Sequence, residues 1–263
     1  MLRNRINTKK IYFLKIFAIV TLMSVLGKCT LSSVKADGIT VCTEGCNFTT
    51  IQEAIDSIQS SSDVIINVID STHTEADINV DKDVIIQGEG ALETIVQASD
   101  SIITSDQRVF YIHPKANVKI QNLTIRYGNP KTEPESGGGI RNDGSLTHKN
   151  VIIKQNSASA GGGILNNGQL ILIGSTVESN EARGGAIHYI ECSTGGGIKV
   201  QEGITTLVNS TVRNNIAIKK GGGLHVACLG KLNMENSTIS GNTSAGNGGG
   251  IYLDGVGFFL TVR

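Results

Sequence analysis

The sequence lacks an apolar run long enough to span a bilayer. Ile16 to Leu26 covers 11 residues, where about 20 are needed. It also lacks any acid in its first 36 residues, which carry Arg3, Arg5, Lys9, Lys10, Lys15, Lys28 and Lys35. A basic start, a short apolar run and a Val34-Lys35-Ala36 cleavage site read together as an export signal over residues 1–36. Lys28 precedes Cys29 where a lipoprotein site wants a small residue, so no lipid anchor is expected. Clustered cations are missing from the rest. Without the seven cations of the leader, 16 of the 23 Lys and Arg remain against 23 acids, a net charge of −7. That balance excludes nucleic acid as a partner, since phosphate must be met by clustered Lys and Arg. Four cysteines remain after the leader: Cys42, Cys46, Cys192 and Cys228. Export permits disulfides, and Cys42 and Cys46 are expected to staple a small loop. Metal binding is the rival reading of that pair. It lacks a second close pair of Cys or His to complete a tetrahedral site, so no metal is expected.

Strong helix formers are scarce as well, and what replaces them is periodic. "GGG" runs start at Gly137, Gly161, Gly195, Gly221 and Gly248, with "GGAI" at Gly184, at spacings of 24, 23, 11, 26 and 27. A period in the twenties marks a solenoid, and propeller blades need about 40 residues or more. In phase with these runs, "NVIIKQN", "GSTVESN", "NSTVRNN" and "NSTISGN" end at Asn156, Asn180, Asn215 and Asn242. Short β-branched runs bounded by Gly and Asn read as strands. Two or three such strands per repeat, stacked on themselves, predict a parallel β-helix of right-handed coil. Ile140, Ile164, Ile198, Leu224 and Ile251 are expected to stack inside, as are Ile153, Val177, Val212 and Ile239. The glycines turn a corner once per coil, where positive φ and close backbone approach exclude a Cβ. Asn122, Asn150, Asn209 and Asn236, with Gly174, form a further column at turns that tolerate φ > 0. That structural role outweighs the glycosylation sequons at Asn122, Asn209, Asn236 and Asn242. The 11-residue step predicts an insertion, "GGAIHYIECST", projecting from one coil; a shortened extra coil is its rival.

Three segments follow: the leader 1–36, an N-terminal cap over 37–62, and coils over 63–263. In the cap, Thr50 and Glu53 form a capping-box pattern. Ile51, Ala54, Ile55 and Ile58 make one apolar helical face. A solenoid needs its open end covered, and this helix with a strand near Ile39 to Val41 is expected to do so. The run "IYLDGVGFFLTVR" breaks off within a coil and predicts a fragment of a longer protein.

"VCTEGCNFTTIQEAIDSI", "DKDVIIQGEG" and "VKIQNLTIRYGN" resemble the start of secreted right-handed β-helix proteins of the pectate-lyase-like superfamily. The "GGGI…VxxN" repeats are similar to the paired GGA[ILV] and FxxN motifs of chlamydial polymorphic outer membrane proteins. Gly184 to Ile187 is a literal GGAI, while Ile or Val replaces Phe before the Asn. The resemblance implies export and display at a cell or outer-membrane surface, attached through a C-terminal barrel that is expected to lie outside these 263 residues. Under its other branch it implies a polysaccharide lyase or hydrolase. A lyase of that kind holds Ca²⁺ on clustered acids, and hard cations want several convergent oxygens. The acids from Gly137 onward, Asp143, Glu178, Glu181, Glu191, Glu202, Glu235 and Asp254, scatter within the repeat. No Gly-His-Gly run with paired aspartates marks a polygalacturonase.

One column remains as a candidate binding site. The residues after each "GG[GA][IL]" are Arg141, Leu165, His188, Lys199, His225 and Tyr252. Alternation sends them outward if the preceding Ile is inward. Arg141, His188, Lys199, His225 and Tyr252 then form a cationic and aromatic stripe able to hold a carboxylated glycan. The ordinary alternative is a solvated face. A second column, Thr124, Thr176, Thr211 and Thr238, fits exposed strand positions. The sequence thus predicts an exported β-helix that acts in surface display, adhesion or glycan binding. Its expected partner is an acidic polysaccharide or a ligand on a host or cell surface. No cofactor is expected, and Ca²⁺ enters only under the lyase reading.

Overall fold

The computed structural model describes residues 38–59, 64–131, 137–184, 194–227, 229–254 and 260–262. Residues 1–37, where the export signal is expected, lie outside them, as do His188, Cys192 and Cys228. No described helix is long and apolar enough to cross a membrane.

Among the described residues, three sheets of 14, 7 and 4 strands form the walls of the coil, and successive coils pair in parallel, residue on equivalent residue. One full turn shows how. The chain runs through Ile140–Asn142 in the seven-stranded sheet, Ser145–Lys154 in the long sheet and Ser157–Ala158 in the short one. It then turns the corner at Gly161 and starts the next rung at Ile164. Gly161 has φ 59°. A Cβ on the next glycine, Gly162, would lie 2.4 Å from the Glu181 carbonyl oxygen. The corner therefore takes no other residue. Asn150 in the long strand has φ 55°, and Asn122, Gly174, Asn209 and Asn236 share that left-handed backbone. Each bends the long sheet into two arms.

The core follows from register. Ile140, Ile164, Ile198, Leu224 and Ile251 pair rung on rung, as do Ile153, Val177, Val212 and Ile239. All but the last member of each column are buried. Burial of each such side chain stabilises the fold by roughly 1.5–3 kcal/mol. One interior column holds a surprise. His148 stands between Ile120 and Leu172, fully buried, with neither ring nitrogen hydrogen-bonded. Burial pushes its pKa down to about 3, so the ring is neutral.

Asn156, Asn180, Asn215 and Asn242 form a continuous ladder. The Asn180 Oδ1 accepts from both the backbone N–H and the Nδ2 of Asn156, each at 3.0 Å. Asn215 does the same for Asn180, and Asn242 for Asn215. The surplus near Gly184 is not an extra coil. Ile164 pairs directly with Ile198, and Glu181–Ala182 pairs with Ile216–Ala217. The extra residues fall between Ala182 and Thr194, and most lie outside the described set.

The cap is tied to the coil at both ends of its helix, Ile51–Ser57. Thr50 accepts from the Glu53 N–H at 3.1 Å. The second half of the expected capping box is not made, because the Glu53 carboxylate accepts instead from the Thr49 hydroxyl. Glu75, from the first coil, takes the N–H groups of Ile51 and Gln52 at 2.6 and 2.9 Å. Lys82 donates to the carbonyls of Ile55, Asp56 and Ile58 at the other end. A carboxylate at the N-terminus and an ammonium at the C-terminus both suit the helix dipole. Ile39–Val41 is itself a rung, paired in parallel with Val64–Val68.

Candidate functional site on the seven-stranded sheet

The seven-stranded sheet is built from strands of three or four residues, starting with Ile78–Val80 and ending with Ile251–Asp254. Its outward column runs Asn79, Tyr111, Arg141, Leu165, Lys199, His225, Tyr252 in strict register. Sequence reasoning found the column from Arg141 onward and missed Asn79 and Tyr111. Those two precede the first "GGG" corner, so no repeat flags them. Their only signal is the alternation in "INV" and "FYI".

The expectation of an open stripe needs correction. Leu165, Lys199 and His225 are 1%, 4% and 0% exposed. Alternation sets the face a side chain leaves from, but not what lies over that face. His188 falls outside the described residues. Among the described residues, the column is therefore reachable only at its two ends.

At the far end, Lys220 pairs with Asp254 at 2.8 Å and lies 5.1 Å from the Tyr252 ring centre. The His225 ring packs 5.4 Å from the same ring. Burial lowers the His225 pKa to about 4, helped by the charges of Lys199 and Lys220 and opposed by Asp254. The neutral ring lies 3.8 Å from Asp254 without a hydrogen bond, so this contact is not an ion pair.

At the near end the side chains converge on one carboxylate. Asp143 accepts from the Tyr111 hydroxyl at 2.9 Å, Arg141 Nε at 2.9 Å and Asn167 Nδ2 at 2.7 Å. The donors come from three successive rungs, so the stacking itself assembles the site. The His113 ring lies against Tyr111 with centres 4.1 Å apart, and His113 also contacts Asn79 Oδ1 at 3.2 Å. Arg141 and Arg108 sit 5.2 and 5.8 Å from the Tyr111 ring centre. Burial and the neighbouring carboxylate raise the Tyr111 pKa, so its hydroxyl stays a donor. All six residues Asn79, Tyr111, His113, Arg141, Asp143 and Asn167 are half-buried. Asp143 had read as one of a set of scattered acids. The three-rung convergence on it leaves no mark in a single repeat.

Cys42 and Cys46 form a disulfide, so that pair offers no thiolates to a metal. Among the described residues, no group of three or more His, Cys, Asp or Glu side chains is placed to hold a metal ion. Asp143 and Asp254 occupy equivalent positions four rungs apart, or about 19 Å at the usual strand spacing. Paired glycosidase carboxylates stand roughly 5–9.5 Å apart, so these two do not make such a pair.

The family model described as the right handed beta helix region matches residues 83–261. The chain belongs to the right-handed β-helix family. Its coil is thereby right-handed, as the crossover rule requires. No curated protein sequence matches this β-helix. Among solved structures it is similar to pectin methylesterase from carrot, at 13% identity and TM-score 0.41, covering 86% of this chain and 82% of that one. It is also similar to pectin methylesterase PemA from Erwinia chrysanthemi, at 15% identity and TM-score 0.45, covering 82% and 80%. A third is the Aspergillus niger pectin methylesterase, at 12% identity and TM-score 0.45, covering 88% and 87%. A shared β-helix does not transfer an activity, which resides in particular side chains.

Proposed function

We propose that this is an exported β-helix protein that acts by display and binding, with a carbohydrate as its ligand. The observation that carries the reading is the fixed carboxylate of Asp143, held by three donors from three rungs beside Tyr111 and His113. Each sugar hydroxyl needs an acceptor or donor of set direction, and a half-buried patch of locked polar groups supplies them. Because Arg141 is paired with Asp143 at 2.9 Å, this patch suits sugar hydroxyls rather than a sugar carboxylate. The surface role draws on the leader-like first 36 residues and on the likeness of the repeats to chlamydial surface proteins. The polysaccharide lyase or hydrolase reading has less behind it, since the two acids of this sheet stand four rungs apart.

The test is binding of the full chain to immobilised neutral and acidic polysaccharides, with the supernatant assayed for released sugar. Asp143→Asn and Arg141→Met are expected to weaken binding about tenfold or more, the size of a lost charge-assisted contact. No sugar should be released. Release of oligosaccharide, or binding indifferent to both substitutions, would sink the reading.

A further inference from the structure

Beyond its bend, the long sheet continues as a second arm facing another way. Register there aligns Gln97, Arg126, Lys154, Glu178, Arg213 and Ser240 in one outward column. Glu178 is taken by Arg213, at 2.7 Å. That leaves Arg126 and Lys154 as adjacent cations with no carboxylate between them. The Lys154 ammonium makes no hydrogen bond or ion pair with any described residue, while its backbone carbonyl accepts from Asn156 Nδ2 at 3.0 Å.

Arg126 is held in place. Its Nε donates to Gln97 Oε1 at 2.8 Å. The Gln97 amide is oriented in turn by Thr74 Oγ1 at 3.0 Å and Asp100 Oδ1 at 3.4 Å, and Gln97 is buried. The guanidinium carbon lies 4.5 Å from the Tyr127 ring centre. Both contacts leave the terminal nitrogens of Arg126 without a partner among the described residues. Tyr127 has φ 63°, a left-handed backbone unusual for an aromatic. The equivalent turn in later rungs is taken by Gln155, Ser179, Asn214 and Gly241. Strain of this kind persists where the surroundings enforce it, and it clusters at ligand sites. Here it sets a ring against the guanidinium.

A guanidinium fixed through Nε and stacked on a ring presents its remaining N–H edge as a fork, which matches a carboxylate in two parallel bonds. Lys154 adds a second cation one rung away, about 4.8 Å along the coil axis. The rungs beyond carry Thr176, Thr211 and Thr238 beside this column, a row of hydroxyls. We propose that Arg126, Tyr127 and Lys154 form a subsite for the carboxylate of a sugar acid, in a linear glycan lying along the coil axis. This subsite is on a different sheet from Asp143 and stands independently of that patch.

The experiment is calorimetric titration of the full chain with an oligogalacturonate of defined length, and with the same oligomer fully methyl-esterified. Arg126→Gln and Lys154→Gln should each weaken oligogalacturonate binding about tenfold or more. Arg126→Lys keeps the charge and loses the fork, and should also weaken binding. Lys149→Gln, an exposed cation on the first arm, should leave it unchanged. The ester should bind at least as weakly as the Arg126→Gln protein binds the acid. Equal binding of acid and ester overturns the proposal, as does absence of binding to the acid. So does unchanged affinity in Arg126→Gln with a native circular dichroism spectrum. Loss in Asp143→Asn with none in Arg126→Gln would move carboxylate recognition to the other patch and overturn it too.

Discussion

A neutral histidine inside an aliphatic column has a measurable cost. His148 has both ring nitrogens unpaired and a pKa held at about 3 against an ordinary 6.5. The unfolded chain therefore binds a proton below pH 6.5 that the folded chain refuses. Stability from this group is constant above that pH and falls as pH drops, by about 2 kcal/mol from pH 7 to pH 5. His148→Leu should raise stability by about 1–3 kcal/mol at pH 7 and remove this part of the acid loss. Urea unfolding at pH 7 and pH 5 checks both; a destabilised variant would contradict the account. His225, held at about 4 by burial and neighbouring cations, leaves an acid limb of its own. The sequence made the Asn ladder legible because the same residue recurs at the same phase. It did not make His148 legible. Its inward phase could be read from "SLTHKNV", but a lone polar residue breaks the pattern that identifies the interior.

The capping helix shows where legibility ends at the level of elements. Thr50 was readable as its N-cap, since its partner Glu53 is three residues away. Glu75 and Lys82 were not, because they reach the helix from the first coil across 23 to 27 residues and no periodicity links them. His73 joins this contact, with Nε2 2.9 Å from Glu75 and Nδ1 3.5 Å from Asp70. Burial opposes its charge, but the two carboxylates outweigh burial and raise its pKa. The stabilisation is complete below the ordinary value of 6.5 and is lost as pH rises through the folded value. Hydrogen-exchange protection of Ile51–Ser57 should therefore be lower at pH 8 than at pH 6. His73→Gln should abolish the difference, while Glu75→Gln should reduce protection at both pH values by about 1–2 kcal/mol. Protection that is the same at both pH values in the unsubstituted chain would refute this role.

For the whole molecule, each coil touches mainly the one before and the one after, so stability is close to a sum of neighbour terms. Gly196 sits at such a junction, and a Cβ there would meet the Gly222 and Ile216 carbonyl oxygens at 2.3 and 2.5 Å. Gly196→Ala should cost about 3 kcal/mol. It should also split hydrogen exchange, with Leu224–Ala227 and Lys231–Glu235 opening before Val84–Gln87. A single cooperative loss would show coupling beyond neighbours. Architecture was legible because every coil repeats the same statement. The binding patches were not, because they arise where rungs differ: Tyr111 against Leu165, or Tyr127 against Gly241. The direct pairing of Ile164 with Ile198 carries one more consequence. A corner can take a long detour and return with its neighbours still in step. The scaffold is thus an indexed rack: its rungs keep their register by pairing with their neighbours, whatever length of chain joins one to the next.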